Sequence, residues 1–251
     1  MKLVIGGSSG FVGAELVRQA LTNPAITSII GLSRRETPVL AGSADNAGKF
    51  KSIVCEDFGS YSDDIKKELE DADACIWQSV GANHDQLRRT IAVTPSKMRT
   101  TPWGEVVKIC RDYTLVALRT IAHVPRKHDG PLRFVYISGH FAPRDRAHIV
   151  KPLTDFGLVE VALMRGQLEA QVLEYAEQSN GAVEACIAKP GMIHGPGMDV
   201  RVVPGLPNIE LHDIAAALLN QVVDGFEKDT LSNDDMSLLG QKVLSSQKPI
   251  V

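Results

Sequence analysis

Hydrophobic residues come in short runs rich in β-branched side chains, separated by longer stretches in which apolar positions recur every three or four residues. This alternation is the pattern of βαβ units around a parallel sheet, whose strands are covered on both faces and so read as nearly unbroken apolar runs. The runs predict strands over 2–5, 28–32, 51–54, 74–79, 133–138 and 183–189, with room for a seventh. Helical periodicity predicts helices over 10–22, 61–69, 105–124, 158–178 and 211–223, with Ser60 or Ser62 capping the second and Asp213 the last. Three connections, 37–50, 81–104 and 139–156, are long and polar, and each follows a predicted strand. Open α/β sheets hold ligands at loops leaving the carboxyl ends of strands, so these three are expected to rim one cleft. The chain has no internal repeat and no low-complexity tract.

A length of 251 residues suits one α/β domain, 1–251, of doubly wound, Rossmann-like form, in which 190–251 forms a small lid on the substrate side. With 44% hydrophobic and 23% charged residues and a net charge of -3, the chain has the make-up of an ordinary globular protein and no charge excess suited to nucleic acid. Cys55, Cys75, Cys110 and Cys186 form no C-x-x-C pair and have no histidine at ligand spacing, which predicts reduced structural thiols and no metal. The amino terminus leads directly into a strand, and no run approaches the roughly 20 apolar residues of a membrane span. The expectation is a cytoplasmic protein without a membrane partner.

The strongest motif is Gly6-Gly7-Ser8-Ser9-Gly10-Phe11-Val12-Gly13, placed after one predicted strand and opening a helix. Early glycines permit a tight turn and close approach of backbone to a diphosphate, and Gly13 permits close packing of the helix. The amides of the helix start then form an anion site. The second strand ends in Ser33-Arg34-Arg35, about 20 residues on, where an NAD-binding domain carries an acidic residue for the ribose. Two guanidinium groups there suit a 2′-phosphate instead, which points to NADP(H).

These residues, together with three later segments, make the chain resemble the short-chain dehydrogenase/reductase superfamily, in its extended and atypical branches. Gly7–Gly13 is similar to the T-G-x-x-G-x-x-G turn, with Gly6 where threonine is common, and Phe134-Val135-Tyr136-Ile137-Ser138 resembles the strand that delivers the family's serine. Lys189-Pro190-Gly191-Met192-Ile193-His194-Gly195-Pro196 is similar to the R-P-x-x-x-Y-G-P segment along the nicotinamide, and Glu210–Ala215 to the V-x-D-x-A stretch opening a late helix. The resemblance implies cofactor contacts at Gly7, Ser9, Gly10, Phe11, Val12, Gly13, Ser33, Arg34, Arg35, Asp57, Phe58, Ser79, Val80, Gly81, Arg165, Lys189, Pro190, Met192 and Ile193. In many relatives the helices matching 105–124 and 158–178 form dimer bundles, which makes a homodimer an assembly the resemblance implies.

The family's Y-x-x-x-K pair is missing. Placing Glu169 on the glutamate that often follows that lysine by four residues puts Val161 in the tyrosine's place and Arg165 in the lysine's. Valine donates no proton, whereas arginine can still bind ribose hydroxyls. Replacement acid–base groups are sought at Ser138, at His140 in the loop after the fifth strand, and at Tyr113 on the opposite wall. Trp77, Trp103, Met164, Met192 and Met198 are read as packing residues. No Ser-His-Asp triad of recognisable local form occurs, which removes hydrolase readings. Three functions remain: an NADP-dependent oxidoreductase on a small, apolar carbonyl compound or enone, with a non-standard proton donor; an isomerase, lyase or cyclisation catalyst on the same fold; and a non-catalytic NADP(H) sensor.

Overall fold

A computed structural model describes residues 1–38, 44–78, 101–200 and 202–246. Seven parallel strands form one sheet in the order β3-β2-β1-β4-β5-β6-β9, where β1 is Lys2–Gly6, β2 Ser28–Ser33, β3 Phe50–Val54, β4 Ala74–Gln78, β5 Leu132–Ile137, β6 Val183–Ala188 and β9 Thr230–Leu231. A separate two-stranded parallel piece joins β7 (Met192–His194) to β8 (Asn208–Glu210). Helices cover both faces, giving a single Rossmann-like α/β domain. The six predicted strands are present within a residue or two at each end.

Side chains alternate between the two faces, as a pleated strand requires. Leu3, Ile5, Ile76, Val135 and Ile137 pack with helices Phe11–Thr22 and Leu211–Asp224 on one side. Val4, Cys75, Trp77, Phe134 and Tyr136 pack on the other with helices Tyr113–His123 and Val159–Gln178. Strand order reverses between β1 and β4, and at such a switch point the crevice beyond the carboxyl ends of the strands is open for a ligand.

The long helix expected over 105–124 is broken into Trp103–Val107, a π turn at Lys108–Asp112 and Tyr113–His123. Helix Asp63–Leu69 is capped by Ser62, whose hydroxyl accepts from the Ile65 amide at 3.3 Å. Asp213 is no cap. It lies buried in the first turn of Leu211–Asp224, after an N-cap residue, Glu210, that makes no side-chain bond, and it accepts from Gln241 at 3.2 Å. Helix Asn233–Ser246 and the two-residue β9 were not legible, and the loop 139–156 contains the short helical pieces Arg146–His148 and Lys151–Asp155. Trp77 and Met164 are packing residues as expected, whereas Trp103 and Met198 are exposed. Among the described residues no helix is long and apolar enough to cross a membrane.

Candidate functional site

The turn after β1 is built for close approach. Gly7 has φ +78, a conformation that favours glycine, and its amide donates to Leu32 O of β2 at 2.8 Å. Gln78, at the end of β4, donates to Gly7 O at 2.7 Å and so fastens the turn to the neighbouring strand. A Cβ at Gly13 would collide with Gly7 O, and one at Gly10 would stand 3.1 Å from the same oxygen. Gly6, where threonine is common in the motif, is equally forced, because the Trp77 ring occupies the space a side chain there would need.

Gly10 makes no side-chain cap, and the first helical bond runs from the Ala14 amide to Gly10 O at 2.8 Å. The amides of Phe11, Val12 and Gly13 therefore lie before the helical ladder, with the dipole behind them. Ser9 and Phe11 are half-buried beside them. The loop after β2 is tied to this turn: Ser8 Oγ and Thr37 Oγ1 lie 2.7 Å apart, Ser33 Oγ is 3.2 Å from Thr37 Oγ1, and Ser33 also donates to Arg35 O. This tether carries Arg34, half-buried, and Arg35, exposed, to the rim.

Beyond β3, Asp57 is exposed and accepts from the Gly59 amide at 2.9 Å, and hydrogen bonding from Gly59 holds its carboxyl below the usual range. The Phe58 ring is fully buried against Tyr61 and Trp77, leaving its backbone for any ligand contact. Tyr113 belongs to this corner. Its ring packs 5.9 Å from Phe58, Lys108 Nζ lies 5.4 Å above it, and burial with the Asp57 bond raises its phenol. Arg34 is within electrostatic reach of the same phenol. From β2 to β5 is three strand spacings, about 14 Å, so Tyr113 stands at the Asp57 corner and not opposite His140.

At the carboxyl end of β5, Ser138 continues the ladder, its amide donating to Ala188 O at 2.8 Å. Its hydroxyl turns inward and donates to Glu169 Oε1 at 2.6 Å. Lys189 Nζ spends its donors on Glu169 Oε1 (2.6 Å), Glu169 Oε2 (2.8 Å) and Ala142 O (2.6 Å), while Arg144 Nε reaches Glu169 Oε2 at 3.0 Å. Glu169 is fully buried, so Ser138 and Lys189 serve a buried ionic cluster. Sequence reasoning had aligned Glu169 without seeing this role; its place on an inward helix face was the available signal.

His140 fares differently. Its amide donates to Pro190 O at 2.8 Å and its ring meets Phe141 edge-on at 5.1 Å. With Leu206, Pro207, Ser232, Asn233 and Asp234 it lines an open cleft of about 440 Å3. Burial, with Lys189 nearby, pushes the imidazole below 6.5, and Asp234 works against that shift. Asn233 and Asp234 were missed because the helix that carries them was missed. Asn233 is buried and braces the crossing segment, accepting from the Gly191 amide at 3.0 Å and donating to Asn208 O at 3.1 Å.

Pro190 is buried, and Met192 and Ile193 of β7 are half-buried. Gly195 rests on the Phe11 ring, where a Cβ would stand 2.9 Å from a ring carbon, so this segment passes over the start of helix Phe11–Thr22. Val161 is buried with Val106, Ile109, Cys110 and Met164 in a small apolar cluster. Arg165 lies beside Gly139. Ser79, Val80 and Gly81 lie outside the described residues.

No family model and no curated protein matches the chain. Solved structures do match. The oxidoreductase ylbE from Lactococcus lactis is similar over 98% of this chain and 97% of its own, with TM-score 0.59 and 15% identity. Yeast methylglyoxal/isovaleraldehyde reductase Gre2, complexed with NADPH, covers 92% and 77% with TM-score 0.60 and 14% identity. MoeE5, in complex with UDP-glucuronic acid and NAD, covers 92% and 75% with TM-score 0.61 and 15% identity. The chain thus shares the fold of these three structures, at identities of 14–15%.

Proposed function

We propose that this chain is an NADP(H)-dependent oxidoreductase that reduces a small carbonyl compound, with His140 facing the substrate oxygen. The observation that carries the reading is the glycine turn whose Cβ space is closed at Gly7 and Gly13, tied by Ser8, Thr37 and Ser33 to the loop bearing Arg34. These residues fit a dinucleotide. Unclaimed amides at Phe11, Val12 and Gly13 suit its diphosphate, and Arg34 with Arg35 suits a 2′-phosphate. The resemblance to structures that hold NADPH or NAD supports the same choice. When bound, NADPH supplies hydride.

The chain's own residues then have separate tasks. Ile193 and Met192 would back the nicotinamide, since their segment crosses the helix start. His140, whose pKa is lowered chiefly by burial, is neutral near pH 7 and still carries one N–H, enough to polarise a carbonyl and to pass on a proton. Phe141, Leu206 and Pro207 give that proton transfer an apolar border. Ser138 supports the loop through Glu169 and takes no part in proton transfer.

A second reading, dinucleotide sensing without turnover, is favoured by Val161, buried where the family's phenol would stand. NADPH consumption, followed at the nicotinamide absorbance band across aldehydes, ketones and enones, separates the two. Turnover that falls by about 10²–10⁴ in His140→Gln supports the first reading. Tight NADPH binding with no turnover on any carbonyl supports the second.

A further inference from the structure

The carboxyl end of β5 gathers three cations, Arg144, Arg165 and Lys189, near one carboxylate, Glu169. Arg165 and Glu169 stand four residues apart on helix Val159–Gln178, the spacing at which opposite charges pair on a helix. They do not pair. Glu169 Oε1 already accepts from Ser138 and Lys189, and Oε2 from Lys189 and Arg144, which fills the positions a guanidinium would take.

Arg165 is left with its Nε buried and without a hydrogen-bond partner among the described residues. Its Nη1 lies 3.3 Å from where a Cβ at Gly139 would stand, so the guanidinium sits against bare backbone between the end of β5 and His140. The neighbouring Gly166 lets the Pro143 backbone pack directly on the helix, where any side chain would collide with Pro143 O. One turn earlier, Val161 belongs to the apolar cluster of Val106, Ile109, Cys110 and Met164. A guanidinium of a half-buried side chain whose Nε is buried with no partner keeps a costly unmet donor, and a planar anion with two oxygens is the partner its fork matches.

We infer that Arg165 anchors a carboxylate on the substrate beside Gly139, so that the compound taken up is a carboxylate-bearing carbonyl such as a 2-oxo acid. The identity of the carbonyl rests on the reductase reading above; the carboxylate contact does not. The dinucleotide's diphosphate belongs to the Gly7–Gly13 turn, two strand spacings or about 10 Å from β5, and does not meet this charge. Neutral ribose hydroxyls would leave it uncompensated.

Calorimetric titration of pyruvate, and of its neutral methyl ester, into the intact chain with and without saturating NADPH tests this. Wild type, Arg165→Lys and Arg165→Gln are compared after thermal melting shows all three folded; if Arg165→Gln is not, Arg165→Lys carries the comparison, because it keeps the charge and loses the fork. Pyruvate is expected to bind wild type, with affinity lowered about tenfold or more in Arg165→Gln and less in Arg165→Lys. The ester should bind all three alike, and NADPH affinity should change by no more than about threefold. No saturable pyruvate binding by wild type, equal pyruvate affinity in wild type and variants, or a loss of NADPH affinity by about tenfold in Arg165→Gln overturns the inference. Arg165-dependent pyruvate binding by a chain that takes up no NADPH would uphold the carboxylate site while removing the dinucleotide reading.

Discussion

Glu169→Gln removes one negative charge from a site where it meets three donors, and the consequence can be worked from the structure. Glu169 is fully buried, and the Lys189 side chain that pairs with it is 19% exposed. Arg144, at 38%, can recover water, so the cost falls mainly on Lys189. Removing one partner of a buried ion pair costs about 3–5 kcal/mol, because the other charge is left uncompensated. For a chain of 251 residues, 1 kcal/mol moves the melting temperature by roughly 2–4 °C, so Glu169→Gln should melt about 6–20 °C lower. Circular dichroism melting, with a urea midpoint at unchanged slope, measures this. The double variant Glu169→Leu with Lys189→Met removes both charges and should recover most of the loss. A Glu169→Gln protein melting within about 3 °C of the parent would refute the assignment of this cluster as a buried ionic brace.

Gly13→Ala forces a methyl group onto Gly7 O and should cost about 1–3 kcal/mol of stability while weakening dinucleotide binding, both read from melts with and without NADPH. Arg34→Ala should raise the NADPH dissociation constant roughly 10- to 150-fold, the loss of about 1.5–3 kcal/mol of charge-assisted bonding, and leave NADH binding nearly unchanged. His140, depressed mainly by burial, adds a pH term of known sign. Between its folded pKa and 6.5 the unfolded chain binds more protons, so stability rises with pH across that window and is lost on acidification. Melting temperatures taken from about pH 5 to 7 should therefore rise less steeply in His140→Gln than in wild type, and parallel curves would count against a half-buried imidazole of lowered pKa.

The alternation of apolar runs gave away the sheet because parallel strands are covered on both faces, and Val4 and Ile5, or Trp77 and Ile76, simply point to opposite cores. The glycine turn was readable for a similar reason: Gly7 and Gly13 stand where backbone geometry leaves no alternative. What failed to show was everything set by contacts distant in sequence. β9 has two residues and exists through its pairing with β6, and the first turn of helix Asn233–Ser246 is polar, with Asp234 and Asp235. The π turn at Lys108–Asp112 lies inside an unbroken helical pattern, and it directly precedes Tyr113 on the Asp57 side. Ser138 looked free at a strand end, but its partner lies 31 residues away on a helix.

The proposed function starts from NADP(H) recognition by the tethered turn, and a fluorescence titration of NADPH and NADH into the folded chain measures it most directly. Saturable binding of NADPH at least about tenfold tighter than NADH is the predicted result. Equal affinity for the two, or no saturation with either, would contradict it.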